Sequence, residues 1–171
     1  MKNFFNKKRV ELIASEISTA VDAFNADVFI KQACSGLNAM ELKARSKHIA
    51  NAMMMQLPVD TKANYSQSIT QLLLAMGSPE NDAGLDGMEG FHHLPYLDFV
   101  ELYGQADPIQ SLKALERMTQ FFSAEFAIRP FLINDSNKTL RQMESWSKHR
   151  DWRVRRLASE GTRPRLPWGK Q

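Results

Sequence analysis

Apolar residues recur at intervals of three and four along most of this chain. Val10, Ile13, Ile17, Ala20, Val21 and Phe24 form one such stripe, the pattern of a helix with a single buried face. Val28, Phe29, Ile30, Ala33 and Cys34 predict a second, short helix stopped at Gly36. Asn38 with Glu41 resembles a capping box for a third helix over roughly 39–56, ended by Pro58. Asp60 is placed to cap a fourth over roughly 61–76, with Leu72, Leu73 and Met76 inward and Gly77 closing it. Residues 77–93 break the pattern. They are acidic and glycine-rich, and are expected to form a long mobile loop.

A short helix is predicted from Leu94 to Tyr103. Asp107-Pro108 is a cap followed by proline at the first helical position, and the helix it starts is expected to reach Phe122. Ser123 is placed to cap a segment over 124–129, which Pro130 should kink or end. Asp135 or Ser136 opens another helix with Leu140, Met143 and Trp146 inward. Asp151 opens the last, with Val154, Leu157 and Ala158 inward. Residues 161–171 read as extended or looped. No strand alternation of useful length appears. Short helices joined by tight turns point to an all-α fold of stacked antiparallel pairs, an α-α superhelix or HEAT-like helical-repeat solenoid. A weak internal repeat agrees with this: Phe122-Ser123-Ala124-Glu125 leads into Arg129-Pro130, and Leu157-Ala158-Ser159-Glu160 leads into Arg163-Pro164, with the two glutamates 35 residues apart.

A length of 171 residues suits one domain, 1–171. The 43 % apolar content excludes general disorder. The single cysteine, Cys34, excludes an intrachain disulfide and a cysteine-rich zinc site, and is expected to be a buried structural thiol in a reducing compartment. The basic start, Lys2 to Arg9, is followed by no apolar run of signal-peptide type, and no stretch reaches the roughly 18 apolar residues that span a bilayer. A cytoplasmic protein without membrane contact is the expectation. The net charge of +3 hides an asymmetry: residues 138–171 carry +7 and residues 1–137 carry −4. That points to a polyanion at one end of the molecule, with a solvated basic face as the plain alternative.

Several chemistries are absent. There is no P-loop. The glycines at 77, 84, 87 and 90 follow no strand, so a dinucleotide site is not expected. Asp82, Asp86 and Glu89 lack the EF-hand spacing, and His92 and His93 are adjacent with no further ligands in view. His92 and His93 are expected to pack or to lie in a loop, His48 to lie at the surface or boundary, and Met53-Met54-Met55 to fill core. No metal and no cofactor are expected.

The informative region is 121–168. It holds Glu125, Arg129, Trp146, Trp152, Arg153, Arg155, Arg156, Glu160, Arg163, Arg165 and Trp168. Basic residues interleaved with aromatics suit nucleic-acid binding. Glu125–Arg129 and Arg156–Glu160 read equally as ion pairs along a helix surface, worth a few tenths of a kcal/mol each. The sharper alternative sets both glutamates side by side on an arginine-rich concave wall. Carboxylates there would weaken phosphate binding unless chemistry requires them.

Glu125-Phe126-Ala127-Ile128-Arg129-Pro130-Phe131-Leu132, the block Val154 to Trp168, and Leu42-Lys43-Ala44-Arg45-Ser46-Lys47-His48-Ile49-Ala50 strongly resemble the AlkC-type DNA alkylation repair proteins, grouped with AlkD among HEAT-like-repeat DNA glycosylases. The resemblance implies a solenoid cradling double-stranded alkylated DNA. It also implies removal of cationic N3-alkylated bases, chiefly of 3-methyladenine type, in base excision repair, without base flipping. By motif position the catalytic carboxylates are Glu125 and Glu160. Arg129, Arg153, Arg156, Arg163 and Arg165 are then candidate phosphate contacts, Trp152 and Trp168 candidate sugar contacts, and Trp146 a core residue. Members of the family run longer, so further repeats are expected to be missing at the C-terminal end, where exposed apolar surface would favour self-association. A non-catalytic HEAT-like DNA-binding or scaffold module is the alternative.

Overall fold

The computed structural model describes residues 2–79 and 88–164. It is helical throughout that span: α1 (Lys7–Ala20), α2 (Ala26–Cys34), α3 (Leu42–Met54), α4 (Lys62–Met76), α5 (Leu94–Tyr103), α6 (Pro108–Met118), α7 (Arg129–Asn134), α8 (Ser136–Trp146) and α9 (Trp152–Gly161). Two layers emerge from the packing. In one, α1 lies on α4, α4 on α6, and α6 reaches α8 through the Trp146 indole, which donates to the Glu116 carboxylate. In the other, α3 lies against α5 in the most extensive contact of the fold. Asn134 at the end of α7 donates to Gln105 just after α5, and α7 is in turn bound to α9. Contacts of α5 with α6, α7 with α8 and α8 with α9 join the layers. This is the expected helical-repeat solenoid.

Most helix starts follow side-chain caps. The side chains of Asn6, Asn25, Thr61, Asp107, Asp135 and Asp151 each accept a backbone N–H from the first turn, satisfying donors that a helix start otherwise leaves without partners. At Gly77 α4 stops in a positive-φ conformation, φ 72°, which a residue with a Cβ resists. Gly104, between α5 and α6, answers a different need. A Cβ there would collide with the side chains of Ser111 and Tyr65. Those hydroxyls hydrogen-bond at 2.7 Å, and Ser111 donates to the Gly104 carbonyl at 2.8 Å.

Several expectations need correction. The Asn38–Glu41 box is not formed: α3 starts at Leu42 with Glu41 at its N-cap and no side-chain capping bond, because Asn38 lies inside the separate 3-10 turn Leu37–Ala39. Thr61, not Asp60, caps α4, and Asp60 accepts from the Asn64 carboxamide. The helix from Pro108 stops at Met118, short of Phe122, and turns fill the stretch to Ile128; the Thr119 hydroxyl accepts the Ala124 N–H there. Pro130 opens α7 instead of ending a segment, since its missing N–H costs nothing in a first turn. Leu140 is 44 % exposed; Thr139 takes the inward position, donating to the Phe131 carbonyl.

Within 77–93, residues 88–93 form a 3-10 helix rather than loop, and 80–87 lie outside the described residues. Cys34 is half-buried, with burial pushing its thiol up. Met53 is core, whereas Met55 is exposed. His48 is half-buried, one ring nitrogen within hydrogen-bond reach of the Gln32 carbonyl. Among the described residues no helix is long and apolar enough to cross a membrane.

Arg45 is almost fully buried and donates to the carbonyls of Met40, Phe5 and Asn38, at 2.8, 2.7 and 3.3 Å. It fastens the N-terminal turn to α3. Replacing it leaves buried acceptors without donors, so Arg45→Leu is expected to cost about 3 kcal/mol. Urea unfolding measures this, and a cost below about 1 kcal/mol would contradict the assigned role.

Candidate functional site

Glu125 lies in the turn ahead of α7, half-buried, with the Ser123 hydroxyl donating to it at 3.3 Å. One helical turn on, Arg129 is only 7 % exposed. Its guanidinium donates to the carbonyls of Gly161 and Arg163, at 3.1 and 2.8 Å. Those carbonyls flank the end of α9, whose last turn carries Glu160. The turn bearing Glu125 and the helix end bearing Glu160 are therefore clasped through one side chain. The contact is close: a Cβ on Gly161 would lie 2.9 Å from the Ile128 side chain and 3.0 Å from that of Met143. The two glutamates do not occupy equivalent positions of a structural repeat, because one precedes a helix and the other ends one.

Burial corrects the phosphate-contact expectation for Arg129, which joins two helices instead. Arg153 is mostly committed as well. Its guanidinium grips the Asp151 carboxylate from Nε and Nη2 at 3.0 and 2.7 Å, holding the Asp151 carboxyl below its ordinary range. Arg156 and Arg163 are exposed, and Arg163 pairs with Glu160 at 2.9 Å. Trp152 opens α9 with its ring 48 % exposed, on the same helix face as Arg155 and Arg156. Trp146 is core, as expected. Arg165 and Trp168 lie outside the described residues.

Two clusters escaped the sequence reading. The first supports the Glu125 turn. The Lys43 ammonium sits 4.2 Å from the centre of the Phe126 ring, a cation–π contact. Behind it, Lys47 pairs with the nearly buried Glu101 at 2.9 Å, and Asp98 is buried beside them. Burial pushes the Asp98 carboxyl up to about 7, with the Glu101 charge adding to the shift and the two lysines opposing it. Lysines at i, i+4 on α3 facing acids at i, i+3 on α5 were a legible signal, but only once α3 and α5 were known to pack together.

The second cluster joins α1 to α5. The Glu16 carboxylate accepts from the Tyr96 hydroxyl at 2.6 Å and meets His92 Nε2 at 2.8 Å. Burial pushes Glu16 up, but these partners outweigh it and hold the carboxyl below its ordinary value. His93 is held down to about 4, chiefly by burial. Among the described residues no group of three or more His, Cys, Asp or Glu is arranged to hold a metal.

No protein-family model matches the chain. The uncharacterized protein YhaZ of Bacillus subtilis (strain 168) is 33 % identical over 171 residues, which is 99 % of this chain and 44 % of YhaZ. Among solved structures, the Pseudomonas fluorescens alkylpurine DNA glycosylase AlkC, bound to DNA containing an abasic-site analogue, matches with a TM-score of 0.85 and 38 % identity, over 98 % of this chain and 44 % of AlkC. The chain is similar to AlkC along nearly its whole length. It spans less than half the length of either relative. The AlkC match bears out the resemblance read from the sequence and the helical-repeat fold.

The buried acid behind Lys43 has a pH signature. Between pH 3.8 and about 7 the folded chain keeps the Asp98 proton that the unfolded chain has lost. The folded state binds more protons there, so this group's contribution to stability falls as pH rises through that window and levels off above it. His93 acts oppositely between about 4 and 6.5, so stability of the wild type alone mixes the two signs. Asp98→Asn should therefore gain stability relative to wild type progressively from pH 4 to 7. Denaturant unfolding at stepped pH reads this; a difference independent of pH would be the contrary result.

Proposed function

We propose that this chain acts on double-stranded alkylated DNA as a glycosylase, hydrolysing the N-glycosidic bond of cationic, N3-alkylated bases without flipping them out of the duplex. The observation that carries this reading is the AlkC similarity, at 38 % identity over 98 % of the chain, to a glycosylase bound to abasic DNA. Glu125 and Glu160 are proposed as the catalytic carboxylates, supported by the Arg129 clasp that joins their two segments.

The chemistry asks little of the protein at the leaving group. An N3-alkylated base carries a positive charge and departs without protonation. What develops instead is an oxocarbenium-like sugar that water attacks. One ionised carboxylate stabilises that cation and a second orients the water. No enclosed base pocket is needed, in contrast to enzymes that extrude their target. Arg156, Arg163 and the Arg153 side chain held by Asp151 are proposed to contact phosphates beside the lesion, and Trp152 to pack on the deoxyribose; Arg165 and Trp168 remain proposals from motif position. This reading puts the protein in the cytoplasm, with its DNA.

A non-catalytic DNA-binding module is the second reading, favoured by the Glu160–Arg163 pair, which occupies one of the carboxylates. Base release separates the two. Glu125→Gln and Glu160→Gln should each lower release of 3-methyladenine from methylated DNA by about 100-fold or more while duplex affinity holds, as read by chromatography of the freed base. Undiminished release by both variants would remove these residues from the mechanism, and no release by the wild type would favour the second reading. Binding itself should weaken linearly in log–log plots against salt, and Arg156→Ala should reduce that slope by about one. An unchanged slope would take Arg156 off the DNA-binding face.

A further inference from the structure

Where the two layers meet, α6, α7 and α8 enclose a groove of about 470 Å³, a size that accepts a large side chain and its neighbours. Its apolar floor includes Leu112, Phe131 and Ile109, and Ile109 is 72 % exposed, the most exposed large apolar side chain among the described residues. Lys62, Lys113 and Lys138 line it as well. Two acids are also present, but both are engaged. Glu116 accepts from the Trp146 indole, and Asp135 caps α8 and pairs with Lys138 at 3.2 Å. Lys62 and Lys113 are exposed and have no acidic partner among the described residues. Gln105, at the same groove, uses its carbonyl to accept from Asn134, while its buried Nε2 has no acceptor.

We propose that this groove docks a peptide segment of a partner protein, one that carries a large apolar side chain flanked by carboxylates. The apolar side chain covers Ile109 and Leu112, and the carboxylates face Lys62 and Lys113. An apolar anchor in a pocket with a polar rim is the arrangement that concentrates binding energy in protein interfaces. Duplex DNA fits less well. A phosphate gains nothing from an aliphatic floor, and the unmatched cations are lysines rather than the arginines that fork onto phosphate. The groove borders, and shares Glu116 with, the basic cleft at the other end of α6, where Arg117 and Gln120 face His149 and Arg150. Ile109 and Arg117 stand roughly 12 Å apart along the helix axis. The inference does not depend on the glycosylase reading.

The test is fluorescence anisotropy on the full chain with a labelled decapeptide of aspartates interrupted by leucine and phenylalanine, beside an all-aspartate peptide of equal length. The expected result is saturable binding of the first peptide, weakened at least tenfold by Ile109→Asp and by Lys113→Glu. Leu140→Asp, at an exposed apolar position that does not line the groove, should leave it unchanged. Circular dichroism confirms that these surface variants stay folded. Absence of saturable binding, equal binding of the all-aspartate peptide, or unaltered binding by Ile109→Asp would each overturn the proposal. Loss of duplex affinity in Lys113→Glu without any peptide effect would overturn it too, assigning the groove to nucleic acid.

Discussion

The arrangement of the candidate site rests on one buried guanidinium. Arg129 donates to the carbonyls of Gly161 and Arg163, bridging the start of one helix and the end of another 32 residues later in the chain. Hydrogen bonds from a charged donor are stronger than neutral ones and are costly to break once buried. Gly161 lets the two segments meet, since a Cβ there would press on Ile128 and Met143. Without this clasp the Glu125 turn and the Glu160 helix end would be neighbours only through apolar packing, which is tolerant of sliding. With it, two acidic side chains far apart in sequence hold a defined relation.

The clasp is supported from behind. Lys43 on α3 lies against the Phe126 ring beside Glu125, and Lys47, Asp98 and Glu101 set charges of both signs around it. Charged groups inside a helical layer are expensive unless matched. Here the match runs between α3 and α5, the most tightly packed pair of the fold. The same solenoid thus presents two surfaces with different chemistry. One layer carries the carboxylates, exposed arginines and Trp152. The groove between α6, α7 and α8 pairs an apolar floor with a lysine rim.

Much of the fold was legible because the signals were local. Asp107-Pro108, Asp135, Asp151 and Gly77 act within one helical turn, and each marks a boundary where it was expected. The errors arose where a longer-range contact overrode a local preference. Asn38 has the residue type of a cap, but the chain winds it into the 3-10 turn Leu37–Ala39 that Arg45 braces. Leu140 was read as core, but α8 turns Thr139 inward to reach the Phe131 carbonyl. The stretch 119–128 was read as the end of one helix and the start of another, yet it forms turns. The candidate site comes from motif resemblance, which points to Glu125, Glu160 and the surrounding arginines. It was blind to division of labour among those arginines. Arg129 and Arg156 look alike in sequence, and only burial shows that one clasps helices while the other faces solvent.

Arg129 joins the segments that carry Glu125 and Glu160, and the proposed glycosylase reading needs both carboxyl groups to face DNA. A crystal structure of this chain with a duplex carrying an abasic-site analogue tests it most directly. The account predicts the Glu125 and Glu160 carboxyl groups both turned toward the abasic sugar, with the Arg129 guanidinium still on the Gly161 carbonyl. A duplex lying along the α6–α8 groove, or either carboxyl group pointing away from the sugar, would contradict it.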